Sequence, residues 1–175
     1  ADSGRYYQTG GAITSVVTDP ASGATSIKPM KLNALLRAMS QVAVWERFDQ
    51  RSDGWVPADP TQRHGGMLVD AERYNHLPAL VGLARQPFLR PDGSVVRSSG
   101  FDPLSGYFGT FDSNEFNIPD HPTLAQAQAA LNEIDALLNE FAFASPNDRA
   151  AALAGILTAA ARPSLELAPM FHVRA

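Results

Sequence analysis

The residues best able to do chemistry in this 175-residue chain are two groups of cations. Lys28, Lys31 and Arg37 stand close together, and Arg85, Arg90 and Arg97 bracket Pro91-Asp92-Gly93. Gathered on one face, either group could grip phosphates, with an affinity that falls as salt rises. Taken singly, each cation is more often an ordinary surface charge or half of a local ion pair. Phe88, Tyr107 and Phe108 lie beside the second group; they are candidates to stack on bases, although core packing is the usual role of strand aromatics. The four histidines, His64, His76, His121 and His172, form no i, i+4 helical pair, so no metal site is expected. Acid pairs such as Asp112/Glu115 and Glu133/Asp135 have acid–base chemistry within reach, but such pairs usually belong to a solvated face.

Other chemistry is excluded outright. With no cysteine there is no disulfide, thiolate metal site or thiol nucleophile. The patterns G-x-x-x-x-G-K-[ST], G-x-G-x-x-G, H-E-x-x-H and G-x-S-x-G are all missing. Net charge is −4 but unevenly spread: residues 1–97 hold 11 basic and 9 acidic side chains, residues 98–175 hold 3 basic and 9 acidic. No Lys or Arg lies between Arg97 and Arg149, so that acidic middle repels phosphate, and nucleic-acid contacts are expected in the first 97 residues. Apolar residues at 45% and charged residues at 18% describe a folding chain, and 13 Gly with 13 Pro describe one rich in turns. The longest apolar runs fall well short of the ~20 residues that cross a bilayer, and no basic-then-apolar leader opens the chain; a cytoplasmic protein without membrane contact is expected.

The elements that must position these residues follow from the pattern. Residues 5–9, 12–18 and 25–30 are β-branched or aromatic runs broken by Gly10-Gly11 and Asp19-Pro20-Ala21-Ser22-Gly23, which predicts a small antiparallel meander. Leu32, Leu35, Leu36 and Met39 predict a helix over 31–40. Residues 42–48 read as a strand with a hairpin tip at 51–55, and Asp59-Pro60 as the start of a helix running to Tyr74. A buried strand is expected around 80–84. Three short strands, 87–89, 95–97 and 107–111, are expected to form a meander or wing around the turns at Pro91-Asp92-Gly93 and Asp102-Pro103-Leu104-Ser105-Gly106. Apolar spacing from Leu124 to Phe141 predicts a helix of roughly 18 residues. Ser145-Pro146 opens a second helix that Pro163 closes, giving an antiparallel helical hairpin, and residues 168–175 read as a terminal strand. The fold class expected is therefore α+β: small antiparallel β meanders with short helices over 1–120, winged-helix-like by element order in 59–111, then a helical hairpin and terminal strand over 121–175.

The order of motifs carries a resemblance. Pro87-Phe88-Leu89-Arg90-Pro91-Asp92-Gly93-Ser94 followed by Gly100-Phe101-Asp102-Pro103-Leu104-Ser105-Gly106-Tyr107 resembles the P-x-L-R-P-D-G-S … G-[YF]-D-x-x-[ST]-G stretch of phage, plasmid and integrative-element primase-helicase proteins. Leu77-Pro78-Ala79-Leu80 precedes that stretch, and Pro122-Thr123-Leu124-Ala125, Phe141-Ala142-Phe143, Ala150 to Arg162 with Pro163, and Leu167-Ala168-Pro169-Met170-Phe171-His172-Val173-Arg174-Ala175 are similar to the segment ahead of the ATPase core there; the resemblance covers roughly residues 5–175. It implies a front segment that ends before the phosphate loop and is no enzyme alone. ATP and Mg would belong to the downstream ATPase, with no cofactor in this chain.

Two readings follow. In the first, the chain is a noncatalytic adaptor and DNA-binding segment of a mobile-element replication protein, with DNA, the downstream ATPase and oligomerisation through the parent protein as its partners. Its DNA-binding candidates are Lys28, Lys31, Arg37, Arg85, Arg90 and Arg97. In the second, it is a structural or protein-interaction domain that docks on a neighbouring ATPase or subunit without touching DNA, a reading that an exposed apolar stripe on the helical hairpin would favour. A third reading, a stand-alone enzyme, requires one cleft to gather residues such as Asp102, Asp112, His121 and Arg162.

Overall fold

A computed structural model describes residues 6–172. The chain has mixed α and β content and divides into two compact units: Ala1–Leu83 with Gly106–Phe108, and Ala84–Ser105 with Gly109–Ala175.

The first unit opens with the expected meander. Strands β1 (Tyr7–Thr9), β2 (Ala12–Thr18) and β3 (Thr25–Pro29) lie in that order, antiparallel, with Tyr7 opposite Thr14 and Val16 opposite Ile27. Gly10 and Gly11 both sit at positive φ (56° and 77°), the backbone of a two-residue turn whose twist matches that of its strands. Arg5, expected to begin the first strand, lies outside the described residues. Helix α1 (Leu32–Val42) buries Leu35, Ala38 and Met39, the i, i+3, i+4 stripe that its sequence carries. The helix continues to Val42, where a strand was expected; the Ala43 N–H and the Trp45 indole N–H both donate to Met39 O and close its end.

The strand that follows is therefore shorter, β4 (Glu46–Asp49), paired with β5 (Gly54–Pro57) across the exposed tip. Helix α2 (Gln62–Val69) starts two residues later than Asp59-Pro60 suggests, because the Thr61 backbone N–H donates to His64 Nδ1 at 3.1 Å and sets the first turn there. It also stops at Val69 and does not run to Tyr74. At Gly65 the two helices approach so closely that a Cβ would meet Leu32 Cδ1 at 2.6 Å. The buried Tyr74 ends this region, and the Gln8 side chain ties it to β1 by donating to Tyr74 O and Leu77 O and accepting from Tyr74 N.

Strands β6 (Gly82–Ala84), β7 (Phe88–Leu89), β8 (Val95–Val96), β9 (Gly100–Phe101) and β10 (Tyr107–Gly109) are short. The expected three-strand meander is replaced by two sheets: β7 pairs with β8, while β10 belongs to a separate sheet of order β6-β10-β9. The reason lies in the Arg90–Ser94 turn, which folds β8 straight back on β7.

In the second unit, Phe88, Val96, Phe111 and Leu138 are buried. Helix α3 (Leu124–Ala136) is shorter than the periodicity suggests. Arg149 donates to Asp135 O and Leu138 O, and the chain beyond Ala136 tightens into turns in which the amides of Leu137, Leu138, Asn139 and Phe141 reach back three residues. Helix α4 (Pro146–Ala161) is capped by the Ser145 hydroxyl, which accepts from Asp148 N. Arg149 of α4 bonds to the Asp135 carboxylate of α3, and α4 lies against β7 and the turn Arg162–Ser164. The expected terminal strand does not form over residues 168–172, where Leu167 and Met170 are almost fully exposed and Pro169 lacks an N–H to donate. Residues 173–175 lie outside the described residues.

Candidate functional site

The six cations fall into two physical classes. In the first unit, Lys28 is exposed on β3 directly opposite Ser15, Lys31 is the exposed residue that precedes α1, and Arg37 is exposed on α1. The ion pairs among the described residues are Arg90–Asp102, Arg97–Asp120 and Arg149–Asp135, so none of these three cations belongs to one. Arg37 borders a groove of about 700 Å³ between β2 and α1. Asn33 and Gln41, one turn to either side of it on the same helix face, border the same groove. Sequence reading missed these two amides, although their i, i+4 spacing around Arg37 is legible once the helix is placed.

In the second unit, Arg85 is exposed just beyond β6. Arg90 is committed differently. Its Nε lies 3.0 Å from one carboxylate oxygen of Asp102, its Nη2 lies 2.8 Å from the other, and its Nη1 donates to Ser94 Oγ at 2.9 Å. Asp102 is only 7% exposed, and it also accepts from the Ser105 amide at 3.0 Å and the Ser105 hydroxyl at 2.6 Å. The Arg90 guanidinium, aided by these Ser105 bonds and opposed by burial, pulls the Asp102 carboxyl down to about 2. In return, Asp102 holds the guanidinium above its ordinary range. At the hairpin tip, Asp92 Oδ1 accepts from the Ser94 amide at 2.9 Å and the Ser94 hydroxyl at 2.6 Å, which lowers the Asp92 carboxyl, and Gly93 takes the positive φ of 83°. The P-x-L-R-P-D-G-S and G-[YF]-D-x-x-[ST]-G stretches are thus joined by one bonded unit, in which Arg90 ties the first turn to the second.

Arg97 pairs with Asp120 and also donates to Pro119 O. This pair is more open than the Arg90 clamp, with side-chain exposures of 39% and 80%. Two of the three aromatic candidates serve packing: Phe88 is buried and Phe108 meets Tyr7 edge-to-face at 6.1 Å. An aromatic pair that was not singled out from sequence, Phe48 and Trp55 on opposite strands of the β4–β5 hairpin, is 49% and 68% exposed.

The residues that a stand-alone enzyme would need are engaged separately. Asp102 is clamped by Arg90, Asp112 accepts from Asn114 as the cap of the turn Ser113–Glu115, His121 is exposed, and Arg162 donates to Leu165 O. None of the four bonds to another among the described residues. No group of three or more His, Asp or Glu able to hold a metal occurs among them either. No helix among the described residues is long and apolar enough to cross a membrane. Compared with models of protein families, with curated proteins and with solved structures, the chain finds no match.

Proposed function

We propose that the chain is a noncatalytic adaptor of a mobile-element DNA replication primase-helicase, a cytoplasmic segment that contacts DNA and precedes an ATPase carrying the ATP and Mg. The observation that supports the DNA contact best is that Lys28, Lys31 and Arg37 are exposed within one unit and belong to none of the ion pairs of the described residues. Free cations release counterions when they meet phosphates, whereas an arginine already holding a carboxylate must give that bond up first. Arg85 joins the first class and Arg90 and Arg97 the second. The motif resemblance supplies the replication context, and the bonding between Arg90, Ser94, Asp102 and Ser105 gives that motif a common structural purpose.

Fluorescence anisotropy with a labelled DNA oligomer, titrated at rising salt, tests the reading. Binding should weaken with salt, and the combined variant Lys28→Ala/Lys31→Ala/Arg37→Ala should reduce the slope of log K against log salt by about 2 to 3. No binding at low ionic strength would remove the DNA contact.

The second reading, a docking domain without DNA, is favoured by one observation: α3 buries none of its residues, and Leu124, Leu137 and Phe141 are 83%, 68% and 64% exposed. Apolar surface of this kind suits a protein neighbour. A co-purification assay in which Leu124→Ser/Phe141→Ser releases the ATPase segment while DNA binding is absent would establish it over the first.

A further inference from the structure

The groove between β2 and α1 carries a reading of its own. Ser15, Val16, Val17 and Thr18 all border it. Consecutive strand side chains point to opposite faces, so a groove that touches four in a row follows the edge of the strand. On that side, among the described residues, β1 pairs with β2 at Ala12, Ile13 and Thr14. On the other side, β3 covers β2 from Thr14 to Thr18. The Met30 N–H donates to Ile13 O, which directs the backbone groups of Ile13, Ser15 and Val17 toward β3 and those of Val16 and Thr18 toward the groove. Among the described residues no strand covers this edge. The opposite wall is one face of α1 with Arg37 at its centre, and no acidic residue is part of the lining.

We infer that this groove takes an extended peptide as an added strand on β2, with a carboxylate of that peptide seated on Arg37. An unpaired row of N–H and C=O groups is the recognition surface of strand addition, and a facing helix gives the added strand its second wall. A guanidinium suits a carboxylate because both are planar and can bond in pairs. The carboxylate comes from an Asp or Glu side chain or from a chain terminus; the chemistry at Arg37 is the same. Asn33 and Gln41 each offer a donor and an acceptor to the far edge of such a strand. A nucleic-acid strand would use Arg37 but has no backbone amides to pair with Val16 and Thr18, which is why the edge favours a peptide. The inference stands apart from the DNA reading and shares only Arg37 with it.

Three labelled Val/Thr octapeptides test it against the full chain, by anisotropy and by amide shifts: one amidated with a central Asp, one with a free C-terminus and no acid, and one amidated with neither. The Asp peptide, the free-terminus peptide or both should bind and shift the Val16 and Thr18 amides, and which of them binds names the carboxylate source. The uncharged peptide should bind about tenfold more weakly, and Arg37→Gln should erase that difference. Val16→Pro, which removes an edge N–H while sparing the ladder to β3, should abolish binding with cooperative unfolding retained. The inference is overturned by any of four results: no peptide binds; all three bind alike; the Val16 and Thr18 amides are already protected from exchange in the free protein; or a single-stranded oligonucleotide shifts those amides while the peptides do not.

Discussion

The two units treat most of their candidate cations in opposite ways, with exposed Arg85 the exception in the second. In the first, Arg37, Lys28 and Lys31 are exposed and belong to none of the ion pairs of the described residues, although Lys28 adds to the Ser22 and Ala21 hydrogen bonds that lower the Asp19 carboxyl. In the second, Arg90, Arg97 and Arg149 each hold an aspartate far along the chain: Asp102, Asp120 and Asp135. The second unit also carries all of the acidic surplus, so its arginines find carboxylates nearby. The lesson is that an arginine count says little about phosphate binding until the partner of each is known. A paired arginine spends its directional donors on shape, and an unpaired one keeps them for a ligand. Even among the pairs, burial divides the strong from the weak: the Asp102 carboxylate is 7% exposed and that of Asp120 is 80% exposed.

The most damaging way to probe this contrast is Asp102→Asn. It leaves Arg90 half-buried without its counter-charge and weakens the bonds to Ser105, so urea denaturation should report a loss of about 3 kcal/mol. An unchanged midpoint would mean that the clamp contributes little and that Arg90 is as available as Arg37.

Acid should act on the same clamp. The Asp102 carboxyl titrates at about 2 in the fold against an ordinary 3.8, so the carboxylate form is the one the fold stabilises. That stability is complete above about pH 4 and is lost as pH falls toward 2. The difference in stability between the native chain and Asp102→Asn should therefore shrink by roughly 2 kcal/mol between pH 5 and pH 2, followed by urea midpoints at each pH. A constant difference would assign the clamp's strength to shape alone.

Gly106→Ala tests the backbone side of the same motif. The residue has φ 73°, and a Cβ there would lie 2.9 Å from Val81 Cγ2 and 3.0 Å from Ala79 O. The positive φ and the backbone oxygen together should cost about 2 kcal/mol in thermal unfolding. The smallest effect belongs to Arg97→Gln. Its pair is largely solvated, so stability should move by no more than about 0.5 kcal/mol; a larger loss would place Arg97 with Arg90 and erase the distinction drawn by burial.

Much of the fold was legible because it depends on neighbours in sequence. The β1–β2–β3 meander follows from Gly10-Gly11 and from alternating apolar residues, and the stripe of α1 from Leu35, Ala38 and Met39. The Arg90–Ser94 turn follows from Pro91-Asp92-Gly93. What was misread depends on distant partners. The end of α3 was hidden because it is Arg149, on the next helix, that takes the carbonyls of Asp135 and Leu138. The terminal strand was misread because apolar residues from Leu167 onward look like a strand, yet a strand exists only where another edge pairs with it. Of the six candidate cations, all were visible as residues, but whether each was free or paired could not be read, since Arg90 and Asp102 are twelve positions apart and Arg97 and Asp120 twenty-three.

By itself, then, the order of residues determined the α+β character, the tight turns and the charge contrast along the chain, because each of these is decided within a few positions by φ preferences, apolar periodicity and simple counting. Only the tertiary structure decided which arginines are held by carboxylates, that the edge of β2 opens beside Arg37, and that the two signature stretches are one bonded unit. Those outcomes rest on side chains brought together through space, where burial and geometry set the strength of each bond, and no local pattern encodes that distance.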